Sequence, residues 1–258
     1  MIIDTHAHLT DSKFNQDREF VLQRAKAAGV SYIFEIACET GEWDAALEFS
    51  KRDNIYASFG IHPQEAQNVS EKDFKKLEEL LKNPKAIAVG EAGLDYHYET
   101  ESKQLQKEVF IKQIDIAIKH NKPLIIHCRE AFDDIINILK AYKTLPKGVV
   151  HYFTGAAQEA KFFTDRGFLL GVDGPVTYPK NETLRQVVAE TDISKLLIET
   201  DCPYLSAQNY RGQRNEPAYV IETLKAIAAI KRISYEEAAK ITTDNAKKLF
   251  NILEDKKL

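Results

Sequence analysis

The chain has 258 residues, of which 44 % are hydrophobic and 29 % are charged, and its formal net charge is −4. These values indicate a globular protein and exclude an overall basic field, so a nucleic acid would have to be bound by local positive charge or by metal ions. The three cysteines, Cys38, Cys128 and Cys202, are too scattered for a disulfide framework and fit a cytoplasmic protein. We expect no secretion signal, because Asp4, His6 and His8 interrupt the apolar N-terminal run. We expect no membrane span, because no apolar run approaches ~18 residues.

Short apolar runs alternate with longer amphipathic runs along the chain. The short runs have the composition of buried strands, and they are Ile2–Thr5, Val30–Ala37, Ile55–Gly60, Ala86–Glu91, Pro123–His127, Val149–His151, Phe168–Val172 and Leu196–Thr200. The amphipathic runs predict helices at Asp17–Ala28, Ser70–Leu81, Gln104–Lys119, Phe132–Tyr142, Ala156–Arg166, Leu184–Glu190 and Ala218–Lys231. Residues 234–251 predict a helical tail of two segments.

The alternation of strands and helices predicts the fold class. Strands that are separated by helices form parallel sheets, and eight such units in about 250 residues match a (β/α)₈ TIM-type barrel. A doubly wound open sheet is the rival arrangement. No Gly/Ser-rich or Pro-rich linker divides the chain, so we predict a single domain over residues 1–258.

Two histidines, His6 and His8, lie at the end of the first predicted strand. Alternate residues of a strand point to the same side, so the two imidazoles face the same way and could share one metal ion. Taken alone, a His-x-His pair is a weak signal, since it could equally be two polar residues at a strand end. It gains weight because further metal-ligand types recur at the ends of other strands.

Barrel enzymes carry their chemistry at the carboxyl ends of the strands. The candidate ligands at these ends are His6, His8, Glu91, His127, His151 and Asp201. Six ligands are too many for one catalytic zinc but suit two ions ~3.5–4 Å apart. We assign His6, His8 and Asp201 to one ion and His127 and His151 to the other, with Glu91 as the bridge and Asp201 as the alternative bridge.

Seven motifs at and around these residues resemble the TatD family of metal-dependent deoxyribonucleases, within the amidohydrolase-like barrel superfamily. They are Asp4-Thr5-His6-Ala7-His8-Leu9, Gly60-Ile61-His62-Pro63, Gly90-Glu91-Ala92-Gly93-Leu94-Asp95-Tyr96, Ile126-His127-Cys128-Arg129, His151-Tyr152-Phe153-Thr154-Gly155, Glu199-Thr200-Asp201-Cys202-Pro203-Tyr204-Leu205 and Arg214-Asn215-Glu216-Pro217. The resemblance implies a TIM-type barrel, two divalent metals, phosphodiester hydrolysis and the same six ligands. Small departures are Ala92, where Ile is commoner, and Tyr152, where a small residue or Cys is commoner.

The chemistry expected of such a site is the hydrolysis of DNA with exonuclease character, on single strands or 3′ ends. Two cations would lower the pKa of water and neutralise charge on the phosphoryl oxygens. We assign catalytic roles to Glu91, as the bridge, and to Asp201, which would orient the attacking water and accept its proton. The alternative is that Asp201 serves only as a ligand. Mixed imidazole and carboxylate ligation admits magnesium, manganese, zinc and iron.

Five residues outside the ligand set are candidates for substrate binding. His62 could donate to a phosphate or protonate a leaving oxygen, or could fix its own loop. Arg129 could bind a phosphate, or could pair with a nearby carboxylate. Arg211 and Arg214 could form a local positive patch after the eighth strand, or could belong to an ordinary solvated loop. Tyr152 could alter the fit of the substrate.

Two further carboxylates, Asp95 and Glu199, are expected to hydrogen-bond the ligand histidines, and Glu199 could instead balance a buried cation within the barrel. Two competing functions remain beside the nuclease. The same barrel could hydrolyse another ester or amide, for example an aminoacyl ester, or it could bind nucleic acid without cutting it. No obligate protein partner is evident.

Overall fold

Strands and α-helices alternate through the residues that the computed structural model describes, which are 1–97 and 102–252. The strands are β1 (Ile2–Ala7), β2 (Val30–Ala37), β3 (Ile55–Phe59), β4 (Ala86–Asp95), β5 (Leu124–Arg129), β6 (Gly148–Val150), β7 (Phe168–Val172) and β8 (Leu196–Ile198). The α-helices of this part of the chain are α1 (Arg18–Ala27), α2 (Trp43–Phe49), α3 (Glu71–Leu80), α4 (Lys103–Lys119), α5 (Phe132–Lys140), α6 (Ala157–Asp165), α7 (Glu182–Glu190), α8 (Val220–Lys231) and α9 (Tyr235–Phe250). None of these helices is long and apolar enough to cross a membrane.

The eight strands form one sheet in sequence order, and each strand pairs in parallel with the next. The two edges of the sheet approach each other, because Ala7 and Cys202 form a parallel bridge and the Asp201 N–H donates to the His6 carbonyl at 2.9 Å. The result is a nearly closed barrel, which confirms the predicted TIM-type fold. The open doubly wound sheet is wrong, because that fold requires the strand order to reverse.

Most predicted elements agree with the structure to within two residues at each end, and three differences are larger. Strand β4 continues to Asp95 rather than ending at Glu91, because Gly93 and Asp95 pair with His127 and Arg129 of β5. Helix α2 was not predicted, since it is only seven residues long. The tail is one helix rather than two segments, because nothing between Tyr235 and Phe250 breaks it.

One end of the barrel is closed by helix α9. The Phe250 ring meets the Phe34 ring of β2 edge to face, with 4.9 Å between the centroids, and both belong to the cluster that fills the barrel interior. The Thr243 hydroxyl donates to the Met1 carbonyl at 3.0 Å, which places α9 at the amino-terminal ends of the strands. The carboxyl ends therefore remain available for a site.

Two glutamines of helix α4 hold the carboxyl ends of β3 and β4 in place. The Gln106 side chain accepts from the Asp95 N–H at 2.8 Å and donates to the Asp95 carbonyl at 2.9 Å. Gln113 bonds Ile61 in the same way, at 2.7 and 2.9 Å. Both glutamines are buried, so they satisfy backbone groups that would otherwise lack partners and give this rim of the barrel a defined shape.

Candidate metal centre

A cavity of about 690 Å³ opens at the carboxyl ends of the strands. Its walls include five of the six predicted ligands, which are His8, Glu91, His127, His151 and Asp201. The sixth, His6, is fully buried directly behind them and lies 3.3 Å from Glu91 through its Nε2 atom. The fold thus brings together all six residues from the ends of five different strands.

Glu91 lies at the centre of this cluster, and its two carboxylate oxygens face different histidines. Oε2 is 3.3 Å from His6 Nε2 and 4.0 Å from His8 Nε2. Oε1 is 2.5 Å from His127 Nδ1 and 3.9 Å from His151 Nε2. A carboxylate placed between two pairs of imidazoles in this way has the arrangement of a bridging ligand.

Asp201 lies across from Glu91 and faces three of the same imidazoles. Its Oδ1 atom is 3.3 Å from His8 Nε2 and 3.7 Å from the Nε2 atoms of His6 and His151.

The neighbouring residue Thr200 holds this stretch of backbone in place. The Thr200 N–H and hydroxyl donate to the two oxygens of the buried Asp4 carboxylate at 3.0 and 2.6 Å. The Asp4 of the first motif therefore fixes the segment that carries Asp201.

The outer nitrogens of three ligand histidines have their own partners. His8 Nδ1 is 3.0 Å from the Ile36 carbonyl, and His151 Nδ1 is 2.9 Å from Glu199 Oε2. His127 Nε2 is 3.1 Å from Asp95 Oδ2, so the contacts predicted for Asp95 and Glu199 are confirmed. Such partners fix the ring orientation and leave the inner nitrogens of His8 and His151 directed towards Glu91 and Asp201.

The buried polar atoms of this cluster are not fully satisfied by the protein. Among the described residues, neither nitrogen of His6 has a hydrogen-bond partner, although His6 is completely buried. An unsatisfied buried polar atom costs about 1–3 kcal/mol, and coordination of a cation by His6 Nε2 would offset part of this cost. Imidazoles and carboxylates that converge on one cavity are also a donor set suited to divalent metals. The residues present therefore fit a metal centre.

Two of the pKa shifts favour the protonation states that metal binding needs. Burial and the adjacent His151 lower the pKa of His6, which keeps its imidazole neutral. Burial alone would raise the pKa of Glu91, but the neighbouring His151 and His127 outweigh it and hold that pKa well below its ordinary value. A neutral imidazole and an ionised carboxylate are the coordinating forms of these groups.

Three of the predicted substrate residues lie at the cavity. Arg129 and Tyr152 line its wall. His62 also lines it, with Nε2 4.0 Å from Glu91 Oε1, while its Nδ1 accepts from the Gln64 N–H at 3.2 Å. His62 therefore does fix its own loop, as one of the two interpretations holds, and it still presents its other nitrogen to the site.

The other two predicted substrate residues are placed elsewhere. Arg214 forms two hydrogen bonds to the Asp17 carboxylate, each 2.7 Å long, and its guanidinium lies over the Phe14 ring. Arg211 lies over the Tyr178 ring, at 4.8 Å from the centroid. Neither lines the cavity described above. The spacing along the chain could not show this, because the partner of Arg214 lies almost 200 residues away.

One acidic residue near the cluster was missed by the sequence analysis. Asp173 directly follows β7, is fully buried, and has an oxygen within 4.8 Å of a nitrogen of His151 and an oxygen of Asp201. Its position just after a strand is the same signal that identified the six predicted ligands, so the rule applied to β7 would have found it.

Comparison with known proteins agrees with this geometry. The family model described as TatD related DNase matches residues 3–251. The uncharacterized metal-dependent hydrolase YabD of Bacillus subtilis is 42 % identical over 254 residues, which cover 98 % of this chain and 100 % of YabD. The uncharacterized metal-dependent hydrolase YcfH of Escherichia coli K12 is 35 % identical, with 97 % and 96 % covered.

Among solved structures, the TatD homologue YjjV from E. coli K12 superposes with a TM-score of 0.92 at 32 % identity, and 98 % of each chain is covered. The match extends over the whole barrel, including all the strand ends that form the cavity. The chain therefore belongs to the TatD-related DNase family and is a metal-dependent hydrolase with a TIM-type barrel.

Proposed function

We propose that this protein is a deoxyribonuclease that hydrolyses phosphodiester bonds of DNA with exonuclease character and uses two divalent cations. The observation that carries the proposal is Glu91, a single buried carboxylate whose two oxygens face two different pairs of histidines. Membership of the TatD-related DNase family supports DNA as the substrate.

The contacts of Glu91 and Asp201 indicate how the six ligand residues would divide between the two cations. His6, His8 and Asp201 would hold one cation, His127 and His151 would hold the other, and Glu91 would bind both. Magnesium, manganese and zinc are all compatible with these ligands. When bound, the pair supplies a water of lowered pKa and positive charge opposite the phosphoryl oxygens.

The protein's own residues would then position the reaction. The Asp201 carboxylate is partly exposed to the cavity and is held on a segment that Thr200 ties to Asp4, so it can orient the attacking water and accept its proton. His62 presents Nε2 to the same space and can donate to a phosphate or to the leaving oxygen. Arg129, on the wall, can bind a phosphate oxygen.

The size of the cavity supports attack at chain ends. Its volume of about 690 Å³ lies within the range of pockets that enclose one small ligand. One or two nucleotides of a single strand could enter such a pocket, whereas a continuous duplex could not.

The charge of the rim favours a second candidate function. Asp11, Glu39, Glu42 and Glu130 line the cavity, whereas Arg129 is the one arginine or lysine among its described lining residues. Carboxylates repel a polyanion, so an ester with less negative charge, for example an aminoacyl ester, is the alternative substrate of the same centre.

Removal and return of metal tests the proposed function. We expect chelation to lower nuclease activity at least about 100-fold, because the water would lose the charge that makes it a nucleophile. Addition of Mg²⁺, Mn²⁺ or Zn²⁺, one at a time, should restore release of nucleotides from single-stranded DNA. A panel of aminoacyl and other esters is assayed in parallel. Cutting that persists after verified removal of metal contradicts the mechanism, and restored turnover of esters without cutting of DNA favours the second candidate.

Tyr204 provides a more specific test of DNA as the substrate. It lines the cavity with 47 % of its surface exposed, and its hydroxyl is held 3.2 Å from Asp11. The Lys13 ammonium lies 4.2 Å from the centre of its ring. An exposed aromatic ring beside a cation can stack on a base and is worth about 1–3 kcal/mol per base.

We expect Tyr204→Ala to raise KM for a single-stranded oligonucleotide by about 5- to 150-fold, the factor that follows from loss of one stacked base. Tyr204→Phe is the matched control. It keeps the ring but loses the bond to Asp11, and its KM should stay within a few-fold of the wild-type value. An unchanged KM in the alanine variant, or an equal rise in both variants, would argue against stacking.

A further inference from the structure

Asp173 is a buried carboxylate whose oxygens accept no hydrogen bond from any donor in the described part of the protein. The residue is fully inaccessible to solvent. An ionised carboxylate in such a place is unfavourable unless a cation or a donor compensates it. Nothing in the proposed function uses Asp173.

The surroundings of Asp173 increase the need for positive charge. The Asp201 carboxylate lies close by, with an oxygen within 4.8 Å of an oxygen of Asp173, and the Glu199 side chain is within hydrogen-bonding distance of Asp173. Glu199 is itself confined, because a Cβ at Gly171 would lie only 2.1 Å from its Oε2 atom, so this carboxylate fills the space over the glycine.

Three different ligand atoms converge at this point. A nitrogen of His151, an oxygen of Asp173 and an oxygen of Asp201 all lie within 4.8 Å of one another. His151 Nδ1 is bound to Glu199, so Nε2 is the nitrogen that can serve a cation. His151 and Asp201 both line the open cavity, which provides a path of entry.

We propose that Asp173, Asp201 and His151 form a further divalent-cation site next to the pair bridged by Glu91. The site deepens the proposed function and rests on it for the shared ligands Asp201 and His151. His151 Nε2 serves one cation at a time, since it lies 3.9 Å from Glu91 Oε1 and 3.7 Å from Asp201 Oδ1. A cation at the Asp173 site takes His151 Nε2. The cations on the two oxygens of Glu91 are then bound by His6, His8 and His127.

The second ion of the bridged pair has other donors when His151 is engaged by Asp173. His62, Asp95 and His127 form a separate group whose ligand atoms also lie within 4.8 Å of one another. A cation at the Asp173 site therefore takes His151 and Asp201 from the bridged pair, and the group of His62, Asp95 and His127 would hold the second ion in their place.

The test counts metal ions on the protein without substrate, so a failure to cut DNA would leave it unaffected. Metal-free wild type and Asp173→Asn are dialysed against rising Mn²⁺, and bound Mn²⁺ per chain is measured at saturation. We expect the variant to bind one ion fewer than the wild type while the others are retained. Equal counts would overturn the proposal and favour a protonated Asp173 that donates to Glu199.

Two further variants guard against an indirect effect. Glu216→Gln changes another buried carboxylate, one paired with Arg24 away from the cavity, and should leave the ion count unchanged. Asp173→Ser replaces the carboxylate by a smaller side chain and should also bind one ion fewer than the wild type. This variant provides the test if the asparagine variant does not fold.

Thermal unfolding gives a second readout that does not depend on activity. Without metal, Asp173→Asn should unfold at a temperature close to that of the wild type, because asparagine has nearly the shape of the carboxyl group that it replaces. With saturating Mn²⁺ the wild type should unfold at the higher temperature, since only the wild type gains the binding energy of the extra ion. A variant that is less stable than the wild type in both conditions contradicts the proposal.

Discussion

Replacement of Glu91 by alanine is expected to lower kcat for DNA by at least about 10³-fold, which is the scale of losing a principal electrostatic element of an active site. The two oxygens of Glu91 are directed at two different pairs of histidines. Its loss would remove the shared ligand and leave Asp201 as the carboxylate that faces His6, His8 and His151. The measurement is nucleotide release from single-stranded DNA together with bound metal per chain.

Two variants separate the charge of Glu91 from its shape. Glu91→Gln keeps the volume of the side chain but has only one coordinating oxygen, so it should resemble the alanine variant in activity and bind less metal. Glu39→Gln alters a carboxylate on the rim of the same cavity and should retain activity. Full activity in Glu91→Gln would show that Glu91 does not bridge two cations, and Asp201 would then be the remaining candidate.

Replacement of Gly93 by alanine is expected to destabilise the protein by about 3–5 kcal/mol, as the combined cost of steric overlap and backbone strain. Gly93 has a φ of +156° and pairs with His127 across β4 and β5. An added Cβ would lie 1.9 Å from the His127 carbonyl oxygen. The obstructing atom is backbone, so relief requires β5 to move and His127 to move with it. Denaturant unfolding and metal affinity should both respond.

Two other glycines serve as controls that separate the cost of steric overlap from the cost of placing alanine at a positive φ. Gly167 has a φ of +88° but nothing within 4 Å of its Cβ position, so Gly167→Ala should cost only about 1–2 kcal/mol. Gly41 has neither a positive φ nor a neighbour within 4 Å, and Gly41→Ala should be nearly neutral. If Gly93→Ala proved no worse than Gly167→Ala, strand β4 could shift away from His127 without cost.

The metal cluster was predictable because its residues obey a positional rule. His6, His127 and His151 each follow an apolar run, and parallel strands of a barrel end on the same face. The rule needs only the strand ends, which hydrophobic periodicity locates to within a few residues. The same rule points to Asp173, which directly follows β7, but the rule was not applied to that strand. That its oxygens accept no hydrogen bond in the described part of the chain is visible only when its surroundings are known.

The arginines illustrate the opposite case. Arg211 and Arg214 were predicted to form a positive patch because they lie in a polar loop after the eighth strand. In the structure Arg214 is bound to Asp17 and Arg211 lies over Tyr178. A long cationic side chain can reach many partners, and the choice among them depends on which acids and rings the fold brings within reach.

The sequence by itself determined the alternation of strands and helices, hence the barrel, and the six side chains that meet at its carboxyl end. These features depend on the hydrophobic periodicity of each segment and on the rule that the parallel strands of a barrel end on the same face. Only the tertiary structure decided which oxygen of Glu91 faces which histidine, and that Arg214 and Arg211 are already engaged by Asp17 and Tyr178. It also decided that Asp173 is buried and accepts no hydrogen bond from the part of the chain that the structure describes. Those properties depend on distances of a few ångströms between residues far apart in the chain, and such distances are set by how the strands register and close rather than by the composition of any segment.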